Sequence, residues 1–249
     1  MTLHRHRNNA NGKLKKENTK LSPRAKETRV DGHSSKRAIS TVVGMSLDGD
    51  LLALQMIYRG KTALSLPEAR NPYVQLARAA DWILTNKDKN HWSSADTMMT
   101  YIRKVLIPYR DKIIREENID MEADVSDPKV KYSTDVILLI DCWSMHVHTL
   151  KPMIEKEFPF IHLSFVSANC TSKLQPCDVI ANAPLKRGFK KRCIAWTARR
   201  AMDAIEQKIP PEEFKIAAQM SVTKMKPLLI EWLYESWMEL KLFCVDVAM

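Results

Sequence analysis

Along its first 37 residues the chain shows no apolar run and no periodicity, so this stretch is expected to be irregular. From Ile39 the pattern changes. ISTVVGMSL and LLALQMIY are two β-rich runs joined at Asp48-Gly49-Asp50, and Asp-Gly between apolar runs predicts a hairpin, because the tight turn needs a residue that accepts positive φ. The Pro-punctuated LSLPEARNPYV that follows reads as an irregular connection. HWSSADTMMTYIRKVLIPYRDKIIREEN then reads as a helix: Ser93 and Asp96 resemble a capping box, and Met98, Ile102, Val105, Tyr109 and Ile113 form one apolar stripe. Pro108 is expected to kink it.

After the polar segment MEADVSDPKVKYST, VILLIDCW is a continuous apolar run stopping at an acid, the pattern of a strand buried on both faces. About a helix's length later comes a second such run, IHLSFV, then the loop SANCTSKLQP and a basic helical region from Cys177, which Pro184 and Gly188 are expected to break. From Pro210 to about Leu242 the pattern is helical again, with Leu229, Trp232, Leu233 and Trp237 spaced to cover a core. The order of hairpin, helix, strand, helix, strand, helix predicts an α/β domain with parallel strands. Three parts are expected: a basic disordered arm at 1–37, a domain at 38–205 and a C-terminal helical extension at 206–249.

Composition refines this picture at two points. The net charge is +10, but 11 Lys and Arg against 3 acids lie in residues 1–37, leaving 28 against 26 downstream, so the basic character is mostly an arm. A solvated arm is the plain reading of such a segment, and phosphate contact is the sharper one. The longest aliphatic run, residues 136–140, is too short to cross a bilayer, and the basic N-terminus is not followed by the apolar stretch of a secretory signal. Five scattered cysteines lack the density of a disulfide scaffold, which points to a reducing compartment.

Two acids stand out by position: Asp141 at the end of VILLID, and Asp178 in LQPCDV after the next strand and its loop. Parallel strands put their C-terminal ends on one rim, where the two carboxylates could converge on a hard cation such as Mg2+ or Mn2+. The words around them carry more. VILLIDCWSMH, FPFIHLSFVSANCTSKLQPCDV, KRAISTVVGMSLDGDLLALQMIYRGKT and HWSS, in this order over about residues 24–205, resemble the DDE superfamily endonuclease domain of pogo-type transposases and their host-adopted relatives, including the centromere protein B group, and especially the fungal branch. The resemblance implies a ribonuclease H-like fold, a mixed sheet flanked by helices, and metal-dependent DNA strand cleavage and transfer as the ancestral activity. Asp141 and Asp178 match its second and third catalytic carboxylates. The family's first carboxylate, on a strand preceding the hairpin, has no match: Asp31 is too near the hairpin, and Asp48 and Asp50 read as turn residues. The chain therefore reads as a truncated or degenerate copy, lacking the strand expected between the hairpin and the Asp141 strand and impaired in cleavage.

Other residues are weighed against plainer roles. His146, just past Asp141, could contact substrate or a carboxylate, and is read first as a partly buried structural histidine. Cys142, Cys170, Cys177, His146, His148 and His162 have no zinc-ligand spacing. LKRGFKKRCIAWTARR holds seven bases without an acid, either a solvated helix face or a nucleic-acid contact through Lys186, Arg187, Lys190, Lys191 and Arg192; the same cluster would serve as a nuclear localisation signal. The expected partner is DNA, bound weakly and without sequence preference, since no helix-turn-helix region is recognisable. Rival readings are an active metal-dependent nuclease whose site another acid or subunit completes, and a host-adopted scaffold without enzymatic activity.

Overall fold

Ser46 and Asp50 close the chain reversal, the Ser46 N–H donating to the Asp50 carbonyl at 2.9 Å, and Gly49 between them sits at φ 94°, where a side chain is disfavoured. In the computed structural model, which describes residues 39–116, 134–168, 170–210 and 222–248, this turn joins the expected antiparallel strands β1 (Ile39–Val42) and β2 (Gln55–Arg59), with Ile39 opposite Tyr58 and Val42 opposite Gln55. A bridge between Met45 and Leu51 carries the pairing toward the turn. The expected basic arm and the acidic part of the segment before VILLID lie outside the described residues.

The stretch expected as an irregular connection, residues 64–74, runs at its end into the first turn of α1 (Pro72–Ala79), and β3 (Ile83–Lys87) follows the helix. The helix begins at Asn71, whose Oδ1 accepts from the N–H groups of Tyr73 and Val74 at 2.9 and 3.3 Å, and Pro72 takes the first helical position, where its missing N–H is not needed. β3 pairs parallel to β2, Gln55 opposite Ile83, so β2, α1 and β3 form a crossover unit.

The long helix forms in two pieces, α2 (Ala95–Tyr101) and α3 (Ile107–Glu116), joined by a π-helical turn at Ile102–Leu106. Its N-cap is Ser94, not Ser93: the Ser94 N–H donates to Thr97 Oγ1 at 2.8 Å, and Asp96 lies in the first turn, where the helix dipole favours an acid. Pro108 produces the widened turn. The residue before it, Ile107, donates to the Ile102 carbonyl, one position beyond the α-helical partner, and the chain continues past the proline. Met98, Ile102 and Val105 are buried as the stripe predicts, but beyond the widened turn Ile114 takes the buried position and Tyr109 and Ile113 are only half-buried.

VILLID and IHLSFV are the parallel pair β4 (Val136–Asp141) and β5 (Ile161–Val166), with Val136 opposite Ile161 and Asp141 opposite Val166. Between them a second π turn, His146–Leu150, leads into α4 (Lys151–Glu157), with Pro152 again directly after the residue that donates to the widened turn's first carbonyl. Then come the short α5 (Thr171–Leu174), a third π turn at Cys177–Ala181, α6 (Asn182–Glu206) and α7 (Val222–Ala248). The expected break at Pro184 and Gly188 does not occur. Pro184 lies just past the third π turn, and the carbonyl of Ile180 that its ring leaves without an α-helical donor lies in that widened turn. Gly188 sits against α7: a Cβ there would meet Ser236 Oγ at 2.8 Å, so the glycine permits close helix approach.

The fold is mixed α/β, and β2 explains its layering through the two-residue period of a strand. Met56 and Tyr58 pack against Val74 and Ala77 of α1 and Ile230, Leu233 and Trp237 of α7. Ile57 faces the other way with Val42, onto Met98 and Ile102 and onto Ile140, Leu150, Ile154 and Ile161 of the β4–β5 unit. The C-terminal helix thus shares a core with the hairpin. Where one mixed sheet was expected, the described strands form two, ordered β1-β2-β3 and β4-β5. VILLI is not buried on both faces: Ile137 is 78% exposed, because among the described residues nothing packs over it. No helix among the described residues is long and apolar enough to cross a membrane.

Candidate functional site

Asp141 ends β4 with its carboxylate half-buried, and the chain turns at once into a loop that brings His146 back to it. His146 Nδ1 lies 2.5 Å from Asp141 Oδ1 and 3.3 Å from the Asp141 carbonyl, so Nδ1–H donates to the carboxylate. The ring is 1% exposed and meets Trp143 edge-on at 5.3 Å between centroids. Burial pushes the Asp141 carboxyl up, but the hydrogen bond and charge of His146 and the Trp143 N–H together outweigh it and hold the group below the ordinary aspartate value. His146 Nε2 is buried without a hydrogen-bond partner among the described residues. The histidine read as structural is therefore also the residue that orients the candidate carboxylate.

Asp178 stands in the π turn ahead of α6, half-buried, with its N–H donating to the Gln175 carbonyl at 2.9 Å. One turn on, Asn182 Nδ2 donates to Asp178 Oδ1 at 2.5 Å. Asn182 and Gln175 are both buried, and their amide oxygens, Asn182 Oδ1 and Gln175 Oε1, have no partner among the described residues. Neither residue was singled out from the sequence. The signal for Asn182 was its place four residues after Asp178 on a helix, and for Gln175 its place in the LQPCD word. Cys177 beside Asp178 is buried, and burial pushes its thiol up to about 11, so it carries no thiolate at neutral pH.

Ile140 and Cys177, the chain neighbours of Asp141 and Asp178, line one groove, together with Tyr101 and Met45. Both acids thus lie one residue from its wall. Among the described residues no three side chains of His, Cys, Asp and Glu come together as a metal-binding group. The chemistry on offer is that of hard oxygens: two carboxylates, each with one oxygen held by a neighbouring donor, and two buried amide carbonyls beside Asp178.

The five basic residues fall on α6 in two groups. Lys186, Arg187, Lys190 and Lys191 are exposed, and their spacing of four puts them on one helix face. Arg192 points the other way, its side chain 17% exposed: Nε donates to Glu235 at 2.6 Å, Nη2 to Glu239 at 2.6 Å and Nη1 to Ser236 Oγ at 3.3 Å. Glu235 also accepts from Tyr73 Oη at 2.8 Å, so the network ties α1, α6 and α7 together. The hydrogen bonds of Glu239 and Glu235 raise the Arg192 pKa against desolvation, and Arg192 in turn lowers the carboxyls of both. The guanidinium is committed inside the protein, which leaves four exposed cations on this part of α6.

Comparison of the chain with protein-family models, with curated proteins and with solved structures gives no match.

Proposed function

We propose that this chain is a transposase-derived, ribonuclease H-like DDE endonuclease domain that binds DNA weakly and without sequence preference and is impaired in cleavage. The observation that carries the reading is the position of its two acids. Asp141 ends one strand of a parallel pair, Asp178 follows the other strand after the short α5, and their neighbours Ile140 and Cys177 line a common groove. This is the rim on which α/β proteins assemble sites. The exposed basic face of α6 begins eight residues after Asp178, within reach of a phosphate backbone laid along that rim, and supports the DNA-binding part. The same cluster would direct the protein to the nucleus.

The donor set suits one hard divalent cation. Asp141 and Asp178 would hold Mg2+ or Mn2+ through their carboxylate oxygens. Once bound, the cation would supply charge to a phosphodiester oxygen and acidity to a water. The protein's own contribution is orientation: His146 fixes the Asp141 carboxylate, and Asn182 fixes that of Asp178. Two carboxylates balance only two of the four charges of a metal pair, so the charge stabilisation on which in-line displacement depends is incomplete. A nicking assay on supercoiled plasmid with Mn2+, run beside Asp141→Ala, tests the reading. No nicking by either protein is expected. Metal-dependent nicking that the variant lacks would establish the active-nuclease reading instead, and absence of DNA binding at low salt would leave the scaffold reading.

A further inference from the structure

Trp143 is placed where folding alone gives little reason for a tryptophan. It stands two residues after Asp141 and immediately before the helical residues 144–157, and it is partly exposed. None of the three apolar clusters among the described residues includes it, whereas Trp82, Trp196, Trp232 and Trp237 each belong to one or pack against one. A helix entrance favours a side-chain oxygen that accepts from the first free N–H groups, and an indole carries a donor only.

The residue is nonetheless held from three sides. Its N–H donates to the Asp141 carboxylate, and its carbonyl accepts from the N–H groups of His146 and Val147 at 2.8 and 3.1 Å. Its ring stands nearly perpendicular to the buried His146 ring, at an interplanar angle of 80° with 5.3 Å between centroids. The histidine that orients the Asp141 carboxylate therefore also orients the indole, so an acid and an aromatic surface are presented together. An ordered indole in that place suits a flat partner that arrives with a phosphodiester. The interior of a duplex cannot supply one, because each of its bases is already covered on both faces by its neighbours, and an unpaired base can. Stacking on an aromatic ring also tolerates any base, in keeping with binding that has no sequence preference.

We propose that Trp143 is a base-stacking platform beside Asp141, which makes DNA with unpaired nucleotides, single strands above all, the preferred ligand over intact duplex. The proposal rests on the DNA-binding reading above and adds the substrate class to it. The exposed cations of α6 by themselves favour the duplex, whose charge density is higher, so a preference for single strands reports the stacking contact and not the cations.

The test uses the full chain at low salt and fluorescence anisotropy with three fluorescein-labelled ligands of about 16 nucleotides: a thymidine strand, its duplex with an adenosine strand, and a strand of abasic residues that keeps the phosphates. The thymidine strand is expected to bind about fivefold or more tightly than either of the others. Trp143→Ala should abolish that preference, and Trp143→Phe, which keeps a stacking ring, should retain most of it. The preference is a ratio measured on one protein, so a loss of folded molecules cancels, and the abasic comparison uses the parent chain alone and does not depend on how the variants fold. Equal affinity for the thymidine and abasic strands, tighter binding of the duplex, or a preference undiminished in Trp143→Ala would each overturn the proposal and leave the DNA-binding reading standing. Binding to none of the three would overturn that reading and the proposal with it.

Discussion

The Nδ1 of His146 lies 2.5 Å from Oδ1 of Asp141, joining a buried ring to a half-exposed carboxylate at the open end of β4. The pair has one consequence for folding and another for the site. It ties the first turn of the His146 segment to the strand that carries the acid, and it sets the direction in which the carboxylate presents itself.

The folding consequence is testable by pH. The Asp141 carboxyl is held below its unfolded value, so its contribution to stability is present above the unfolded aspartate pKa of about 3.9 and is lost as pH falls through the folded value. Asp141→Asn should therefore lose stability near pH 7 and show a flatter decline on the acid side than the parent. His146→Ala removes both the charged hydrogen bond and a buried ring and should cost about 3 kcal/mol at pH 7. Thermal unfolding followed by circular dichroism from pH 7 to pH 2 checks both.

Arg192 and its lysine neighbours should separate cleanly. Arg192→Ala breaks a partly buried network to Glu235, Glu239 and Ser236 and should destabilise the protein by about 1 to 2 kcal/mol, with little change in DNA affinity. Replacing Lys186, Arg187, Lys190 and Lys191 together by Ala should leave stability nearly unchanged and reduce the slope of log affinity against log salt by about 3 to 4, the value for four lost phosphate contacts. Urea unfolding and salt-dependent anisotropy with a fluorescent duplex read the two effects.

Gly188 sets two opposing effects against each other. Gly188→Ala raises helix propensity by about 1 kcal/mol, but its methyl would lie 2.8 Å from Ser236 Oγ and 3.0 Å from Ser236 Cβ, and forced overpacking of this kind costs about 1 to 3 kcal/mol. Net destabilisation is expected, because Ser236 is held by its bond to the Trp232 carbonyl at 2.6 Å and cannot swing away freely. Combined with Ser236→Ala, the glycine substitution should cost less than alone, and a double-mutant cycle by urea unfolding measures the coupling.

Local pattern determined much of the architecture. Asp48-Gly49 marked the turn because a single backbone conformation requires it, and VILLID and IHLSFV marked β4 and β5 because short runs rich in β-branched and aromatic residues favour strands, although neither run is buried along its whole length. The spacing of Leu229, Trp232, Leu233 and Trp237 marked the buried side of α7 for the same reason. Asn71-Pro72 was an equally local start signal for α1, and it was legible but unread. What depends on distant partners was decided only by the tertiary structure. β3 joins the first sheet by pairing with a strand about thirty residues earlier, and Arg192 turns from a surface cation into a helix tie because Glu235 and Glu239 meet it from α7. Near the two acids, the sequence supplied the carboxylates and the tertiary structure supplied their holders, His146 and Asn182. It also decided that β4 pairs along only one edge among the described residues, since which edge of a strand is paired depends on neighbours brought from elsewhere in the chain and not on the strand's own residues.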